Sequence, residues 1–338
     1  MVLFGFMAVA MAAAAQPTKL HTFKDWIVGC DNVRACQANL LAAEADGDDY
    51  VEVTLNRGAK SADRAVLYIP LPDKTTVGTR FSLKVDGGVA IPFSANAKQS
   101  ASLPLTGGLL ATLRNGRRAV ILDAVGGKAG AMSLAGLAAA LRYIDDQQGR
   151  TGTVGALIAT GSKPDAAMPA PPPYPEIVQP PPSPSPPRTI SVAAATRLIG
   201  QDNATCDYAT GKVKPRSYRL DATHSLVLVD HPCGNGAYNF FTSVYVLDEA
   251  GTARPAHFDV EPGMIGPSDG TGELTNGDWD PKTRQLSSFE KGRGLGDCGT
   301  TESYVWNGAS FRLLEQDEMD ECRASVDYIR TWIAKTRR

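Results

Sequence analysis

The chain has 338 residues, of which 34 are Lys or Arg and 36 are Asp or Glu, so its formal net charge at pH 7 is −2. Nucleic-acid binding needs a basic surface that neutralises phosphates, and this charge balance argues against it. The hydrophobic content of 43%, in a chain about twice the length of a typical domain, predicts two globular domains with cores of ordinary size.

The N-terminal segment Met1–Ala15 is apolar but too short to cross a bilayer as a helix. Ala13 and Ala15 form the small-x-small pattern that signal peptidases cleave, so we expect cleavage after Ala15. A buried N-terminal helix is the alternative interpretation. No other apolar run approaches the roughly 20 residues that a membrane helix requires. The sequence therefore predicts a signal peptide at 1–15 and a mature chain without a transmembrane segment, which is periplasmic or secreted.

Residues 16–163 show the patterns of a β-rich domain with one helix. Tyr50–Arg57 and Arg80–Val85 alternate apolar and polar residues, as half-buried strands do. Ser133 is a favourable N-cap for a helix over Leu134–Gln147, and a strand is predicted after it at Val154–Ala159. Shorter strands are predicted at Ala65–Ile69 and Ala119–Leu122, with a tight hairpin turn at Gly87-Gly88.

A proline-rich tract follows, in which twelve of the 24 residues from 164 to 187 are proline. Because proline has no amide donor and a restricted φ, this tract is predicted to form neither a helix nor part of a sheet. In the polyproline II conformation it would be a semi-rigid spacer, and a PxxP ligand for another domain is the alternative. We therefore predict two domains, 16–163 and 188–338, joined by a linker at 164–187.

Residues 188–338 are predicted to form a second β-rich domain. A short helix is expected at Val192–Leu198, and Asn307-Gly308 is a strong hairpin signal. Thr331–Ala334 is expected to be helical at the end of the chain. The predicted strands are Tyr218–Leu220, Leu226–Val229, Phe241–Leu247, His257–Val260, Gln285–Phe289, Tyr304–Trp306 and Phe311–Leu314.

The cysteines divide evenly around the tract, with Cys30 and Cys36 before it and Cys206, Cys233, Cys298 and Cys322 after it. Even numbers let each half close its own disulfides, as in proteins of oxidising compartments. Cys30 and Cys36 suit a local bridge, whereas the later four allow three connectivities, of which Cys206–Cys233 with Cys298–Cys322 is the simplest. No spacing suggests a redox or zinc site. The predicted fold class is mainly β or α+β, with two disulfide-stabilised β-rich domains joined by a proline-rich linker.

Five segments in order carry a resemblance to a known family: FKDWIVGCDNVRAC (Phe23–Cys36), SLAGLAAALRYIDDQQGR (Ser133–Arg150), CGNGAYN (Cys233–Asn239), GRGLGDCG (Gly292–Gly299) and WNGASFRL (Trp306–Leu313). With Cys322 beyond them, they look like domain-of-unknown-function family 1176, exported proteobacterial proteins of about this length marked by six cysteines. The N-terminal half is also similar to the invasion-associated locus B family, whose fold is mainly β. The resemblance implies an exported β-rich protein, and it supplies no catalytic residues because the family has no established activity.

Asn276, Asp278 and Asp280 alternate oxygen-bearing side chains in a way that suits a calcium ion. The segment lacks the glycine and the closing glutamate of a calcium-binding loop, so a solvated turn is the favoured interpretation. No metal or other cofactor is therefore predicted, and a calcium-dependent binding module is kept as an alternative.

Two loops of the second half form a candidate binding surface, comprising Tyr238, Asn239, Arg293 and Asp297. An exposed aromatic ring beside an amide is suited to recognition because it offers both apolar and polar contacts. Arg293 and Asp297 either form an ion pair or face a ligand.

The sequence contains no recognisable catalytic motif, so we expect a non-enzymatic protein that binds another protein or a component of the cell envelope. The alternative is a hydrolase that acts on an envelope polymer. Its acidic groups would have to be gathered by folding from Asp278, Asp280 and Glu302.

Overall fold

The computed structural model describes residues 15–43, 49–200, 212–260, 262–263 and 272–337. These residues form a mainly β protein with three short α-helices, which confirms the predicted fold class. Among them, no helix has the length and apolar composition needed to span a membrane. The predicted signal peptide lies outside the described residues, apart from its last residue, Ala15.

The described part of the first half (16–163) contains β1 (His21–Phe23), β2 (Trp26–Cys30), β3 (Cys36–Leu40), β4 (Thr54–Arg57), β5 (Val66–Pro70), β6 (Arg80–Val85), β7 (Ile91–Ser94), β8 (Ser100–Pro104), α1 (Gly107–Asn115), β9 (Arg118–Asp123), β10 (Lys128–Ser133) and α2 (Leu137–Gln147). Two antiparallel sheets result, with strand orders β1-β2-β3-β4-β5-β8 and β10-β9-β6-β7. Their core includes Trp26, Leu83 and Leu141, which come from the first sheet, the second sheet and α2. Burying these apolar side chains is the main force that joins the three elements.

Local patterns predicted β6 well. The strand covers Arg80–Val85, with Phe81, Leu83 and Val85 buried and the residues between them less so. It pairs antiparallel with β7, and the amide of Gly88 donates to the carbonyl of Val85 in the connecting turn. Gly87 has a φ of 75°, a conformation that favours glycine, so the predicted hairpin is confirmed.

The start of α2 differs from the prediction. Ser133 is the last residue of β10, and its hydroxyl donates to the Asp25 carboxylate at 2.7 Å. The helix begins four residues later, after Gly136, whose φ is 97°. An ideal Cβ at Gly136 would lie 1.7 Å from the carbonyl oxygen of Phe23, so only glycine fits there. Pairing of Ser133 with β9 holds the backbone extended, which overrides its N-cap preference.

The strand predicted at Val154–Ala159 is absent, because its backbone amides bond to a carboxylate instead. Asp145 of α2 accepts hydrogen bonds from the amides of Leu157 at 2.8 Å, Ile158 at 2.8 Å and Ala159 at 3.1 Å. A buried side chain therefore satisfies donors that a neighbouring strand would otherwise pair with.

The proline-rich segment takes part in a sheet, contrary to prediction. Its non-proline run β11 (Glu176–Val178) pairs in parallel with β22 (Lys335–Arg337) at the end of the chain. The amide of Gln179 extends the pairing by donating to the carbonyl of Arg337 at 2.9 Å. Proline blocks pairing only where its own amide is needed, and this run retains its donors.

The described part of the second half (188–338) contains α3 (Val192–Ile199), β12 (Pro215–Arg219), β13 (Ser225–Asp230), β14 (Phe241–Leu247), β15 (Ala253–Pro255), β16 (Glu273–Thr275), β17 (Asp278–Asp280), β18 (Gln285–Lys291), β19 (Gly299–Trp306), β20 (Phe311–Met319), β21 (Ile329–Ile333) and β22. One antiparallel sheet has the order β12-β13-β14-β15, with β16 also paired to β14, and the other runs from β17 to β21 in chain order. Leu228, Val244, Tyr304 and Phe311 belong to the core between the two sheets. The opposite face of the first sheet packs with Ala195 of α3.

Two predictions in this half are wrong. His257–Val260 forms no strand beyond an isolated bridge between Phe258 and Phe311. Thr331–Ala334 is not helical, because Ile329–Ile333 is a strand that pairs with β20. The buried side chains of Ile329 and Thr331 lie two residues apart, which is the period of a strand.

The two halves pack directly against each other instead of being held apart by the proline-rich segment. Their shared apolar cluster consists of Leu20, Ile27 and Leu41 from the first half and Cys298, Met319 and Ile329 from the second. Polar contacts flank it, since the Thr18 amide donates to the Thr331 carbonyl at 3.1 Å and the Ile333 amide donates to the Asn32 side chain at 2.8 Å. The proposed boundaries at 163 and 188 stay a prediction, but the segment between them does not act as a spacer.

Candidate functional site

Disulfide bonds stabilise both halves. Cys30 and Cys36 are directly opposite on β2 and β3 and are bridged, and a second bridge joins Cys298 to Cys322. Cys233 is also disulfide-bonded, while its predicted partner, Cys206, lies outside the described residues. The cysteines of the described part of the chain are therefore structural, and none of them is a free thiol.

The three calcium candidates each bond to a different part of the scaffold. The Asn276 side chain donates to the Phe289 carbonyl at 2.9 Å, which fixes a turn where Asn276 has a φ of 50°. Asp278 accepts from Arg216 at 2.6 Å, and Asp280 accepts from the Lys282 amide at 2.8 Å. Within the described residues, no three His, Cys, Asp or Glu side chains are grouped closely enough to hold a metal ion.

The carboxylates suggested for a hydrolase are not brought together. Asp278 and Asp280 are exposed on β17, whereas Glu302 is buried on β19. Asp278 is opposite Ser287, and Glu302 is opposite Ser288, so the two carboxylates project from opposite faces of one sheet. This arrangement does not allow the three groups to act on one bond.

The predicted surface loops do lie together, but one of their residues is buried. The Asn239 side chain donates to the Lys291 carbonyl at 3.0 Å, which places Tyr238 and Asn239 beside the loop of residues 292–298. Within that loop, Arg293 donates to Asp297 at 2.6 Å. Asp297 is only 2% exposed and also accepts from the Ala324 amide at 2.7 Å. The hydrogen bonds from Arg293 lower the pKa of Asp297, which anchors the loop instead of facing a ligand.

Side chains of both halves line a cavity of about 790 Å³, which we call the interhalf cleft. Its defining side chains are Asp31 and Gln37 from the first half and Phe289, Asp317, Tyr328 and Arg330 from the second. The loop that carries Arg293 and Asp297 forms one wall, through Leu295 and Gly296.

Strand register builds one wall of the interhalf cleft. Phe289 is opposite Thr301, Thr301 is opposite Asp317, and Asp317 is opposite Arg330. Because directly opposed residues share a face of a sheet, these four side chains form a row across β18, β19, β20 and β21. All four line the cavity.

The acidic groups of the cleft affect one another. Arg330 lies 2.8 Å from Glu315 and 3.7 Å from Asp317, so one guanidinium is shared by two carboxylates. Burial raises the pKa of Asp317 to about 6, and the nearby charge of Glu315 adds to that rise while Arg330 opposes it. Asp31 and Asp327 add further negative charge near Asp317.

Asp31 is the most deeply buried of these acids, at 5% exposure. Its Oδ1 atom accepts hydrogen bonds from the amides of Val33 at 3.0 Å and Ala35 at 2.9 Å, which shape the turn between β2 and β3. Its Oδ2 atom accepts none from the described residues. Burial raises the pKa of Asp31, and the two amide bonds work against that rise.

Aromatic groups form the apolar part of the interhalf cleft. The rings of Phe289 and Tyr328 meet edge to face, with centroids 5.9 Å apart. The Tyr328 hydroxyl donates to the Gly296 carbonyl at 3.1 Å, and burial raises the pKa of that hydroxyl to about 12. The Lys291 ammonium lies 5.2 Å from the centre of the Phe289 ring, within cation–π range.

Sequence reasoning missed the interhalf cleft because its residues come from segments far apart in the chain, even though Asp31 and Leu295 lie in two of the segments that carry the family resemblance. Glu315 and Asp317 lie on β20, which was predicted to end at Leu314 and in fact runs to Met319. The sequence did offer one signal, which is the run of polar residues that follows Leu314 and continues this strand. A strand that packs against a second polar surface lacks the apolar alternation on which the prediction relied.

The fold and the cleft define a class of protein: disulfide-bonded, mainly β, with a polar cavity formed jointly by two halves. The chain belongs to the family described as "Protein of unknown function (DUF1176)", whose model matches residues 20–337. This match confirms the family resemblance inferred from the sequence.

The chain is similar to two further proteins. One is "Uncharacterized protein YpfG" of Escherichia coli (strain K12), which is 26% identical over 341 residues, a match that covers 93% of this chain and 91% of that protein. The other is invasion associated protein B from Bartonella henselae, whose crystal structure matches with a TM-score of 0.32 and 17% identity over 39% of this chain and 99% of that one.

Proposed function

We propose that this chain is an exported, non-enzymatic binding protein of the cell envelope, periplasmic or secreted, which holds its ligand in the interhalf cleft. The observation that carries the proposal is that both halves supply side chains to one cavity of about 790 Å³. Small-molecule sites usually measure about 300–1,000 Å³ and place a few polar groups among aromatic ones. The interhalf cleft has this size and places the Phe289–Tyr328 pair beside Asp31 and Asp317, although its lining is more polar than that of most such sites.

Export is supported by the disulfides. The bridges Cys30–Cys36 and Cys298–Cys322 are typical of proteins that mature in an oxidising compartment, because cytosolic thiols are kept reduced. The apolar segment Met1–Ala15, with its small-x-small end, supports the same assignment.

In this proposal, the loops predicted as a binding surface form part of the wall of the interhalf cleft. Asp297 holds the 292–298 loop in place through Arg293, and Leu295 extends from that loop to the rim of the interhalf cleft. Tyr238 packs near the same loop, since an ideal Cβ on Gly294 would lie 3.4 Å from its ring. We therefore propose that these residues shape the wall and that the ligand contacts the cleft behind them.

Site-specific photo-crosslinking in producing cells tests the proposed function. A photo-reactive amino acid would replace Leu295, which is 76% exposed at the rim, or Val125, which is 91% exposed in the first half, as the matched control. After irradiation, mass spectrometry of the purified protein should reveal a discrete adduct at position 295 and none at 125. Absence of an adduct at 295, or the same adducts at both positions, would overturn the assignment of the site.

A further inference from the structure

We propose that the ligand of the interhalf cleft is a small organic polycation of the polyamine class, with two or more ammonium groups on an apolar chain. This inference rests on the proposed function, because it names the chemistry of the ligand that the same cavity would hold. The structural basis is the juxtaposition of spaced carboxylates with an aromatic pair in one cavity.

The first argument is the imbalance of charge. The cleft has two basic side chains, Lys291 and Arg330, against four carboxylates, which are Asp31, Glu315, Asp317 and Asp327. The Arg330 guanidinium already forms ion pairs with Glu315 at 2.8 Å and with Asp317 at 3.7 Å. Asp327 accepts a hydrogen bond from the neutral Thr54 hydroxyl at 2.7 Å, which leaves its charge unbalanced. A cationic ligand would offset this excess, most strongly beside the buried Asp31 and less at the exposed Asp327, where water screens the charge.

The second argument is the open oxygen of Asp31. This side chain is 5% exposed and lines the cavity, and its Oδ2 atom has no hydrogen-bond donor among the described residues. This oxygen is therefore free to accept a hydrogen bond from a molecule in the cleft. A charged N–H group would be the strongest donor for it, because charge-assisted hydrogen bonds are roughly twice as strong as neutral ones.

The third argument is the spacing of the anions. In the described residues, no three acidic, histidine or cysteine side chains are grouped around a single point as metal ligands are. The carboxylates instead project from different elements, namely the turn after β2, strand β20 and the segment before β21. Separate anions along a cavity match separate ammonium groups along a flexible chain.

The fourth argument is the aromatic pair. Phe289 and Tyr328 provide a surface on which methylene groups can pack. An ammonium group, that of Lys291, already lies 5.2 Å from the Phe289 ring centre. A ligand ammonium can make the same kind of contact, which is worth more once it is shielded from water.

Titration calorimetry with spermidine tests this inference, using the mature oxidised protein at pH 8 and low ionic strength. We expect saturable binding that weakens as salt is added, since ion pairs are screened. Triethylene glycol, an uncharged flexible chain, should not bind. Asp317→Asn and Thr301→Lys should each weaken spermidine binding at least about tenfold, the effect of losing one charged hydrogen bond or adding a competing cation.

Glu249→Gln is the matched control, because Glu249 is an exposed carboxylate of the same half outside the cleft. It should leave spermidine affinity unchanged, and thermal unfolding should establish that all three variants are folded. If Thr301→Lys unfolds, Asp317→Asn alone decides the matter.

Absence of saturable spermidine binding, or equal losses in Asp317→Asn and Glu249→Gln, would overturn the polycation inference. If an adduct forms at position 295 in cells while spermidine does not bind, the binding cleft stands and only the ligand class is wrong. If position 295 gives no adduct and spermidine does not bind, both proposals fail.

Discussion

The Oε1 atom of Glu52 accepts a hydrogen bond from the backbone amide of Asp327 at 2.8 Å, joining residues 275 positions apart. The same oxygen accepts from the Val326 amide at 2.5 Å and the Ser325 hydroxyl at 3.1 Å. One carboxylate of the first half therefore fixes the segment that leads into Tyr328 and Arg330. The geometry of the interhalf cleft depends on this attachment.

Replacing Glu52 should loosen that attachment without unfolding the chain. We expect Glu52→Ala to lower the free energy of unfolding by about 1 kcal/mol, because two amides lose a charged acceptor at a partly exposed site. Hydrogen exchange of the Val326 and Asp327 amides should accelerate, while exchange in β9 stays unchanged. Glu52→Gln keeps an acceptor oxygen and should have a smaller effect. Unaltered exchange at 326 and 327 in Glu52→Ala would contradict the role assigned to this contact.

Asp145 should be among the most sensitive positions for stability. Its side chain is 0% exposed and forms an ion pair at 3.3 Å with that of Arg57, which is 4% exposed. It also accepts hydrogen bonds from three backbone amides. Asp145→Ala leaves the buried Arg57 guanidinium without its counter-ion, although it still donates to the Gly155 carbonyl, and leaves three amides without an acceptor. We therefore expect a loss of about 3–5 kcal/mol in urea unfolding. The exposed neighbour Asp146 is the control, and Asp146→Ala should cost less than about 1 kcal/mol. Similar losses in the two variants would show that burial of Asp145 is not decisive.

The two described disulfides should differ in their contribution to stability. The two cysteines are 24 residues apart in the Cys298–Cys322 bridge and 6 residues apart in the Cys30–Cys36 bridge. In the loop-entropy model, these bridges contribute about 3.5 and about 2 kcal/mol. Paired serine replacements at 298 and 322 should therefore lower the urea midpoint more than those at 30 and 36. The reverse order would indicate that packing around Cys30 and Cys36 outweighs the entropy of the unfolded chain.

Glu302 should make stability depend on pH. Burial raises its pKa to about 8, although the Gly263 amide opposes this by donating to the carboxylate. Between the ordinary glutamate value and about 8, the folded protein binds a proton that the unfolded chain has released. The free energy of unfolding therefore falls as pH rises through this window. Glu318, whose pKa burial raises to about 7, acts in the same direction.

Glu302→Gln removes the Glu302 part of that dependence, since the amide is neutral throughout. Between pH 5 and pH 9, the free energy of unfolding of the wild-type protein should fall by at least about 2 kcal/mol more than that of the variant, as measured by urea unfolding. Glu249→Gln, at an exposed site, should follow the unchanged chain. Parallel pH profiles for the unchanged chain and Glu302→Gln would refute the assignment.

Local sequence patterns predicted the elements that depend on their own residues. The strand Phe241–Leu247 has the predicted bounds, and the helix predicted at Val192–Leu198 extends only one residue further. The Ser191 side chain caps the N-terminus of that helix by accepting a hydrogen bond from the Ala194 amide. Gly200, with a φ of 65°, follows its C-terminus. Strand periodicity and helix caps are encoded within a few residues, which is why they could be predicted.

Predictions failed where a distant group determined the backbone. The amides of 157–159 bond to Asp145, and Ile329–Ile333 is extended because it pairs with β20. Neither partner can be inferred from the local pattern. The same limit applied to β11, whose partner β22 lies at the other end of the second half.

The sequence by itself determined the family, the mainly β class, the presence of disulfides and the bounds of the strands Arg80–Val85 and Phe241–Leu247. The alternating segment Tyr50–Arg57 is a strand only over Thr54–Arg57. Only the tertiary structure decided that the halves pack together and that Asp31 and Asp317 share a cavity. The physical reason is that alternation specifies which side chains share a face of a strand, whereas it does not specify what that face meets. The interhalf cleft arises from the register of β18 to β21 and from the docking of Glu52 on 325–327, and both are set by contacts between residues far apart in the chain.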